Sequence, residues 1–117
     1  MYKNHYIGNL GEDVSAKFLI DMGYEILERN FHSNYGEIDI IAKNEKYIIF
    51  VEVKTRSYIF FGTPIEAVNK DKQRKIYKTA RYYLYKNNLL NSFIRFDVIE
   101  VYISKKSIKI NHIKQIM

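Results

Sequence analysis

Tyr47-Ile48-Ile49-Phe50-Val51-Glu52-Val53-Lys54-Thr55 is the stretch that decides the fold. Its first five residues are all apolar or aromatic, with β-branched residues prominent. Side chains alternate between the two faces of a strand. A run without alternation is therefore buried on both faces, as in the middle of a sheet. Glu52 and Lys54 break that run. They stand two apart, so both project from one face. Burying them is costly unless they pair or hold a cation. The stretch reads as a central strand with two charges near its C-terminal end.

Just before it, Glu37 to Lys43 reads as a strand, with Ile38, Ile40 and Ile41 around Asp39. Asn44-Glu45 between the two suits a two-residue turn that pairs Lys43 with Lys46. Counting back, Asp39 faces Phe50 and Glu37 faces Glu52. All four charged residues then share a face, and Asp39 lies diagonal to Glu52. A slip of one residue would part the two carboxylates. Tyr24 to Phe31 is a further strand, joined to the second through His32-Ser33-Asn34-Tyr35-Gly36.

Upstream, the spacing of Ile7, Leu10, Val14 and Phe18 predicts a helix over Ile7 to Met22, with Asn9, Asp13 and Lys17 on its wet side. Gly23 ends it. Downstream, Arg56 to Val68 is irregular, and Thr63-Pro64-Ile65-Glu66 has capping-box spacing for a short turn. Asn69 is the expected N-cap of a second helix, Lys70 to Lys86, with Ile76, Ala80, Tyr83 and Leu84 buried. Phe93 to Ile103 and Ser107 to His112 complete the strands. The order helix, three strands, helix, two strands implies an antiparallel meander followed by a parallel crossover. The expected fold is an α/β sandwich around a mixed sheet, one domain over residues 1–117.

The chain has 117 residues, no cysteine and a formal charge of +6. Disulfides and thiolate metal sites are excluded. No apolar run approaches the ~18 residues of a membrane span, and the N-terminus lacks a signal-peptide core. A cytoplasmic protein without a membrane partner is expected. The positive charge suggests nucleic acid, although a composition rich in Lys, Ile, Asn and Tyr also follows from AT-rich codons. H-E-x-x-H, G-x-S-x-G and a Gly-rich phosphate loop are all absent.

Two carboxylates, Asp39 and Glu52, with a backbone carbonyl such as that of Val53, suit a hard ion, Mg²⁺ or Mn²⁺, that keeps several waters. Such an ion can polarise a phosphodiester and help generate hydroxide. Lys54 is placed to orient the attacking water or to neutralise phosphate charge.

Gly36-Glu37-Ile38-Asp39-Ile40-Ile41-Ala42 followed by Phe50-Val51-Glu52-Val53-Lys54-Thr55-Arg56 resembles the core of the YraN family, small bacterial proteins of the PD-(D/E)xK endonuclease-like superfamily. Gly11-Glu12, Phe61-Gly62-Thr63-Pro64 and Arg95-Phe96-Asp97-Val98 extend the resemblance over nearly the whole chain. It implies a restriction-endonuclease-like fold, similar to archaeal Holliday-junction resolvases, and a site of Glu12, Asp39, Glu52 and Lys54. Glu12 would then join Asp39, Glu52 and Val53 around the metal. DNA, branched or damaged, is the implied substrate. Taken alone, Glu12 also fits a wet helix face, although its neighbours Gly8, Ser15 and Ala16 are small enough for close approach to a sheet.

The second helix is basic through Lys70, Lys72, Arg74, Lys75, Lys78, Arg81 and Lys86. Lys72 and Lys75, with Arg56 just past Lys54, are candidate phosphate ligands. Tyr82 and Tyr85 offer stacking surfaces. Gln73 and Tyr77 echo a Q-x-x-x-Y pattern of related nucleases, a spacing that also fits an ordinary helix face. Tyr58-Ile59-Phe60-Phe61 covers core or forms a dimer contact. The alternative to an enzyme is a nuclease-like module that binds nucleic acid or a protein partner without cutting. A homodimer or protein partner is one way so small a chain could select a substrate.

Overall fold

The computed structural model of the chain describes residues 2–57 and 69–117, with side chains for residues 9–56 and 69–117. Helix α1 spans Tyr2–Asp21, five residues longer at its start than the apolar periodicity predicts. Strands β1 (Glu25–Ser33), β2 (Gly36–Lys43) and β3 (Tyr47–Ser57) follow, then helix α2 (Lys70–Lys86) and strands β4 (Phe93–Ile103) and β5 (Ile108–Ile113). The expected order is the one observed. The readings for Thr63-Pro64-Ile65-Glu66 and for Tyr58 to Phe61 lie outside the described residues.

The strands stand in chain order, β1-β2-β3-β4-β5, in one sheet. The β3–β4 pair is parallel and every other pair is antiparallel. β3 is central, and Ile49 and Val51 on one side of it and Phe50 on the other are almost wholly buried. Each helix covers one face. Ile76, Ala80, Tyr83 and Leu84 of α2 pack on Phe31, Ile38, Ile41, Phe50 and Phe96. Ala16 and Leu19 of α1 pack on Ile40, Ala42, Ile49, Val51, Ile99 and Val101.

Local chemistry sets where the helices start and stop. The Asn69 side chain accepts the Lys72 N–H at 2.8 Å, capping α2. Its far end closes on Asn88, which adopts φ 58°, while the Leu89 N–H returns to the Leu84 carbonyl at 2.7 Å. Gly23 does the same for α1 with φ 96°, and the Tyr24 N–H reaches the Leu19 carbonyl at 2.9 Å.

Two expectations need correction. The first is register. Asn44 accepts both the Lys46 and Tyr47 N–H groups on its side chain, and its own N–H donates to the Tyr47 carbonyl. The turn therefore holds four residues, Asn44 to Tyr47, and Lys43 pairs with Ile48 rather than Lys46. The shift is two residues, so the faces of β3 are unchanged. Continued along the strand, it sets Asp39 opposite Glu52 instead of Phe50. The second is the contact line of α1. Gly11, Ser15, Ala16 and Leu19 are buried, while Leu10, Val14 and Phe18 are only partly so. Small residues let the helix lie close, and that closeness, not side-chain hydrophobicity, fixes which line touches the sheet.

Strand β2 also changes phase. Ile38 packs on the α2 side and Ile40 on the α1 side, although residues two apart in a regular strand share a face. The break falls on Asp39. Across from it in β1 is Asn30, with φ 53°, and the Asn30–Asp39 pair is missing from the run of pairs between Glu28–Ile41 and Ser33–Gly36. β1 carries a second irregularity between Ile26 and Glu28.

A methyl group at Gly11 would overlap the Thr55 side chain of β3. Alanine should gain about 1 kcal/mol of helix propensity, but overpacking costs about 1–3 kcal/mol, and Thr55 hangs from a central strand that cannot recoil. We expect Gly11→Ala to lower the melting temperature by several degrees, and Thr55→Ala in the same chain to restore most of it. A rise in the single variant would show that α1 does not approach β3 this closely.

Candidate functional site

The β2–β3 ladder ends at the Ile40–Val51 pair. Beyond it the strands part, and the Val53 N–H donates to Asp39 Oδ2 at 2.8 Å. Asp39 is thus fastened in a fork between two strands. Glu52, on the α2 face of β3, is opposite. With Gly36, Glu37, Lys72 and Lys75 these residues line a cavity of about 180 Å³ between the fork and the first turns of α2.

Two lysines converge on Glu52. Lys72 Nζ lies 2.6 Å from Glu52 Oε2, and Lys54 Nζ lies 3.2 Å from the same oxygen. The Glu52 side chain is only 13% exposed, so this pairing is poorly screened. Burial, then the hydrogen bond with Lys72, lowers the Lys54 ammonium below its ordinary range. Burial works the same way on Lys72, but its bonds with Glu52 and Lys54 outweigh it and raise the group.

Asp39 behaves differently from Glu52 because no cation among the described residues is bonded to it. Burial first, then the Glu52 charge, push its carboxyl up to about 7; the Val53 N–H opposes the rise, and Glu12 and Glu37 add to it. Two nearby carboxylates of which one resists ionisation form a site that a divalent cation would relieve. The donor set of Asp39, Glu52 and the Val53 carbonyl fits such an ion. No group of three His, Asp or Glu side chains is already gathered for a metal among the described residues.

The other candidates divide. Glu12 is 18% exposed and 3.8 Å from Arg29, which bonds more closely to Asp13 at 2.8 Å. Its charge is felt at Asp39, so α1 does bring it toward the fork. Glu37 is 57% exposed and meets His32 at 3.1 Å on the cavity rim. The phase break at Asp39 undoes the expectation that Glu37 shares a face with Asp39 through simple alternation. Lys75 reaches the rim but pairs with Asp71 at 3.4 Å. Gln73 is partly buried in the first turn of α2, whereas Tyr77 leans on Phe96 at 6.4 Å and lines a different hollow. Arg56 is directed at Glu100, with Nε 3.6 Å from Oε2.

Glu100 escaped the sequence reading. It is fully buried, accepts the Asn111 side-chain amide at 2.8 Å and lies beside Lys54 in the parallel ladder. A charge two residues after Val98 in an apolar strand was the available signal. Asp97 is the satisfied structural aspartate that its alternation suggests. It takes Arg95 Nη2 at 2.9 Å, His112 Nε2 at 2.7 Å and the Gln115 N–H at 3.2 Å. Burial alone would raise its carboxyl, but these partners outweigh burial and hold it below the usual range.

A mixed five-stranded sheet between two helices, with an aspartate in a strand fork facing an E-x-K strand, defines a restriction-endonuclease-like α/β domain. The model of uncharacterised protein family UPF0102 matches residues 11–101. A UPF0102 protein of Clostridioides difficile (strain 630) is 56% identical over 106 residues, 91% of each chain. One from Clostridium botulinum (strain 657 / Type Ba4) is 54% identical over 101 residues, 86% of this chain and 82% of the relative. The chain belongs to the UPF0102 family, the YraN proteins that its motifs resemble. No helix among the described residues is long and apolar enough to cross a membrane.

The raised Asp39 carboxyl makes stability depend on pH. Its ordinary value is 3.8 and its folded value about 7. Between these the folded chain holds a proton that the unfolded chain has released, so stability falls as pH rises through that window. We expect metal-free protein in EDTA to lose more melting temperature from pH 5 to pH 7.5 than the Asp39→Asn protein does. Parallel curves would mean that Asp39 ionises normally.

Proposed function

We propose that the chain is a divalent-metal-dependent phosphodiesterase acting on DNA, with Mg²⁺ or Mn²⁺ held by Asp39, Glu52 and the Val53 carbonyl and with Glu12 contributing from α1. The observation that carries this reading is the fork itself. It sets two partly buried carboxylates across from each other, one without a cation partner among the described residues and resisting ionisation, with a lysine two residues along the same strand. A bound divalent ion would supply Lewis acidity to the phosphate and favour hydroxide. The chain's own residues do the rest. Lys54, as an ammonium, orients the attacking water through its hydrogen bonds or neutralises the charge growing on the phosphate. Lys72 neutralises Glu52; with a divalent ion bound at Glu52, Lys72 would be available to the phosphate. Lys75 at the rim guides the backbone, and Arg56 could do so only by leaving Glu100. Branched or damaged DNA as the preferred substrate rests on the likeness to resolvases alone.

The alternative is a binding module that does not cut. It is favoured by one feature: Glu52 already has two lysine partners, so its charge is balanced without metal. Either form could act in the cytoplasm as a homodimer or with a protein partner.

Cleavage of a labelled DNA in Mg²⁺ or Mn²⁺ separates the two. We expect Asp39→Asn, Glu52→Gln and Lys54→Ala each to reduce the rate by at least about 100-fold, in line with the loss of electrostatic stabilisation in such sites, while circular dichroism stays native. Glu12→Gln should show a smaller loss and a smaller metal-induced rise in melting temperature. Undiminished cleavage by the Glu52→Gln protein would remove the fork from the chemistry, and no cleavage by the wild type on linear or branched DNA would favour the binding module.

A further inference from the structure

A second hollow adjoins the site along α2. It lies between the β1–β2 turn and the outer face of the helix, and Tyr35, Lys78, Arg81, Tyr82, Tyr85 and Leu90 line it. At about 320 Å³ it is wider than the acidic cavity. No described residue lines both hollows, but they are adjacent in sequence on two elements: Gly36 of the acidic cavity follows Tyr35 of the second in the β1–β2 turn, and Lys75 and Lys78 stand one helical turn apart on α2. The order along α2 is therefore Lys72 and Lys75 at the fork, then Lys78, Arg81, Tyr82 and Tyr85 at the second hollow. From Lys72 to Tyr85 this is about 20 Å of helix at 1.5 Å per residue, the length of a few nucleotides.

The charges along this line differ from one end to the other. In the first turns of α2, Lys72, Arg74 and Lys75 each have a carboxylate partner, Glu52 for the first and Asp71 for the others. Among the described residues, Lys78 and Arg81 have none. Lys78 instead lies over the Tyr35 ring, 5.6 Å from its centre. Among the described residues the lining of this hollow contains no acid. Both cations are exposed to solvent.

The rings keep much of their surface open to solvent. Tyr35 is 50% exposed and Tyr85 69% exposed, while Tyr82 is backed by the buried Phe31 ring in a stacked arrangement at 6.1 Å. Tyrosine usually hides at least one face when it serves only a core. Duplex DNA would use the cations here and leave the rings idle, because its bases are already stacked on one another. Unpaired bases would use both.

We infer that this hollow is a subsite for single-stranded nucleic acid, in which Tyr35, Tyr82 and Tyr85 stack unpaired bases and Lys78 and Arg81 hold the phosphates between them. That the strand's far end lies at the Asp39–Glu52 fork rests on the proposed phosphodiesterase activity; binding in the hollow does not. A substrate with unpaired nucleotides next to the scissile bond, such as a flap or a frayed junction, is the class that fills both hollows.

Anisotropy titrations in EDTA test the subsite without any cleavage. The probes are a labelled 12-nucleotide oligothymidylate and a 12-base-pair duplex. The Tyr35→Ala/Tyr85→Ala protein should bind the single strand about tenfold or more weaker, with its affinity for duplex unchanged, and the Tyr35→Phe/Tyr85→Phe protein should bind like wild type. Lys78→Gln/Arg81→Gln should reduce the log–log salt slope for the single strand by about 0.7 per lost contact. Unchanged single-strand affinity in both the Tyr35→Ala/Tyr85→Ala and the Lys78→Gln/Arg81→Gln proteins overturns the subsite. So does an equal loss on single strand and duplex, or a loss of self-association or of protein binding while oligonucleotide affinity stays intact. Cleavage is scored separately: a subsite that passes in a protein without Mg²⁺-dependent cleavage refutes only the phosphodiesterase reading, and cleavage with a failed subsite refutes only the hollow.

Discussion

The Val53 N–H donating into Asp39 is the constraint on which the site depends. A regular antiparallel ladder would meet that amide with a backbone carbonyl of β2. Here a side chain takes the carbonyl's place, and the strands separate at the point where charged residues replace apolar ones. A buried amide left without a partner would cost about 1–3 kcal/mol. The bond thus satisfies the backbone and positions a carboxylate together. It also explains the phase change at Asp39, because β2 must turn as it leaves its partner, and the left-handed Asn30 lets β1 follow.

Electrostatics at the fork are balanced unevenly. Glu52 is compensated by two ammonium groups, whereas Asp39, among the described residues, is bonded to an amide dipole alone. The structure tolerates this because α2 lies over the fork on a hydrophobic anchor. Phe50 stacks on Phe96 at 5.4 Å and meets Tyr83 edge-on. Lys72, near the N-terminus of α2, is held over Glu52 by that packing and by the Asn69 cap. Burying large side chains such as Phe50 contributes about 2–3 kcal/mol each, enough to hold charged groups where they would not gather by themselves.

Much of this was legible in the residues. An unbroken apolar run marked β3 as central, and two charges within it marked the site. The caps at Gly23 and Asn69 followed from backbone chemistry. The register of the β2–β3 hairpin did not, since Asn44 can serve a two-residue turn or use its side chain to build a four-residue one. The parity of the faces survived because the difference was two. The contact line of α1 was obscured because Gly11 and Ser15 pack by being small, which a search for hydrophobic spacing misses. Lys72 stood out with Lys75 as a phosphate ligand, but its pairing with Glu52 could not be read until α2 was placed over the fork. Glu100 needed the parallel register of β3 and β4 before its closeness to Lys54 could be seen.

The irregularities of β1 have a meaning beyond the fork. β1 and β5 are the two edges of the sheet, and an edge offers its free amides and carbonyls to any extended chain that comes near. β1 is bulged near Leu27, twisted at Asn30 and carries Glu25, Glu28 and Arg29, so it makes a poor template for strand addition. β5 has no such defence in its backbone: it pairs with β4 from Ile108 to Ile113 without a shift. Its protection is brevity, six residues, together with Lys109. The sheet is therefore guarded against aggregation by distortion on one side and by shortness on the other, and the distortion is the same one that opens the fork.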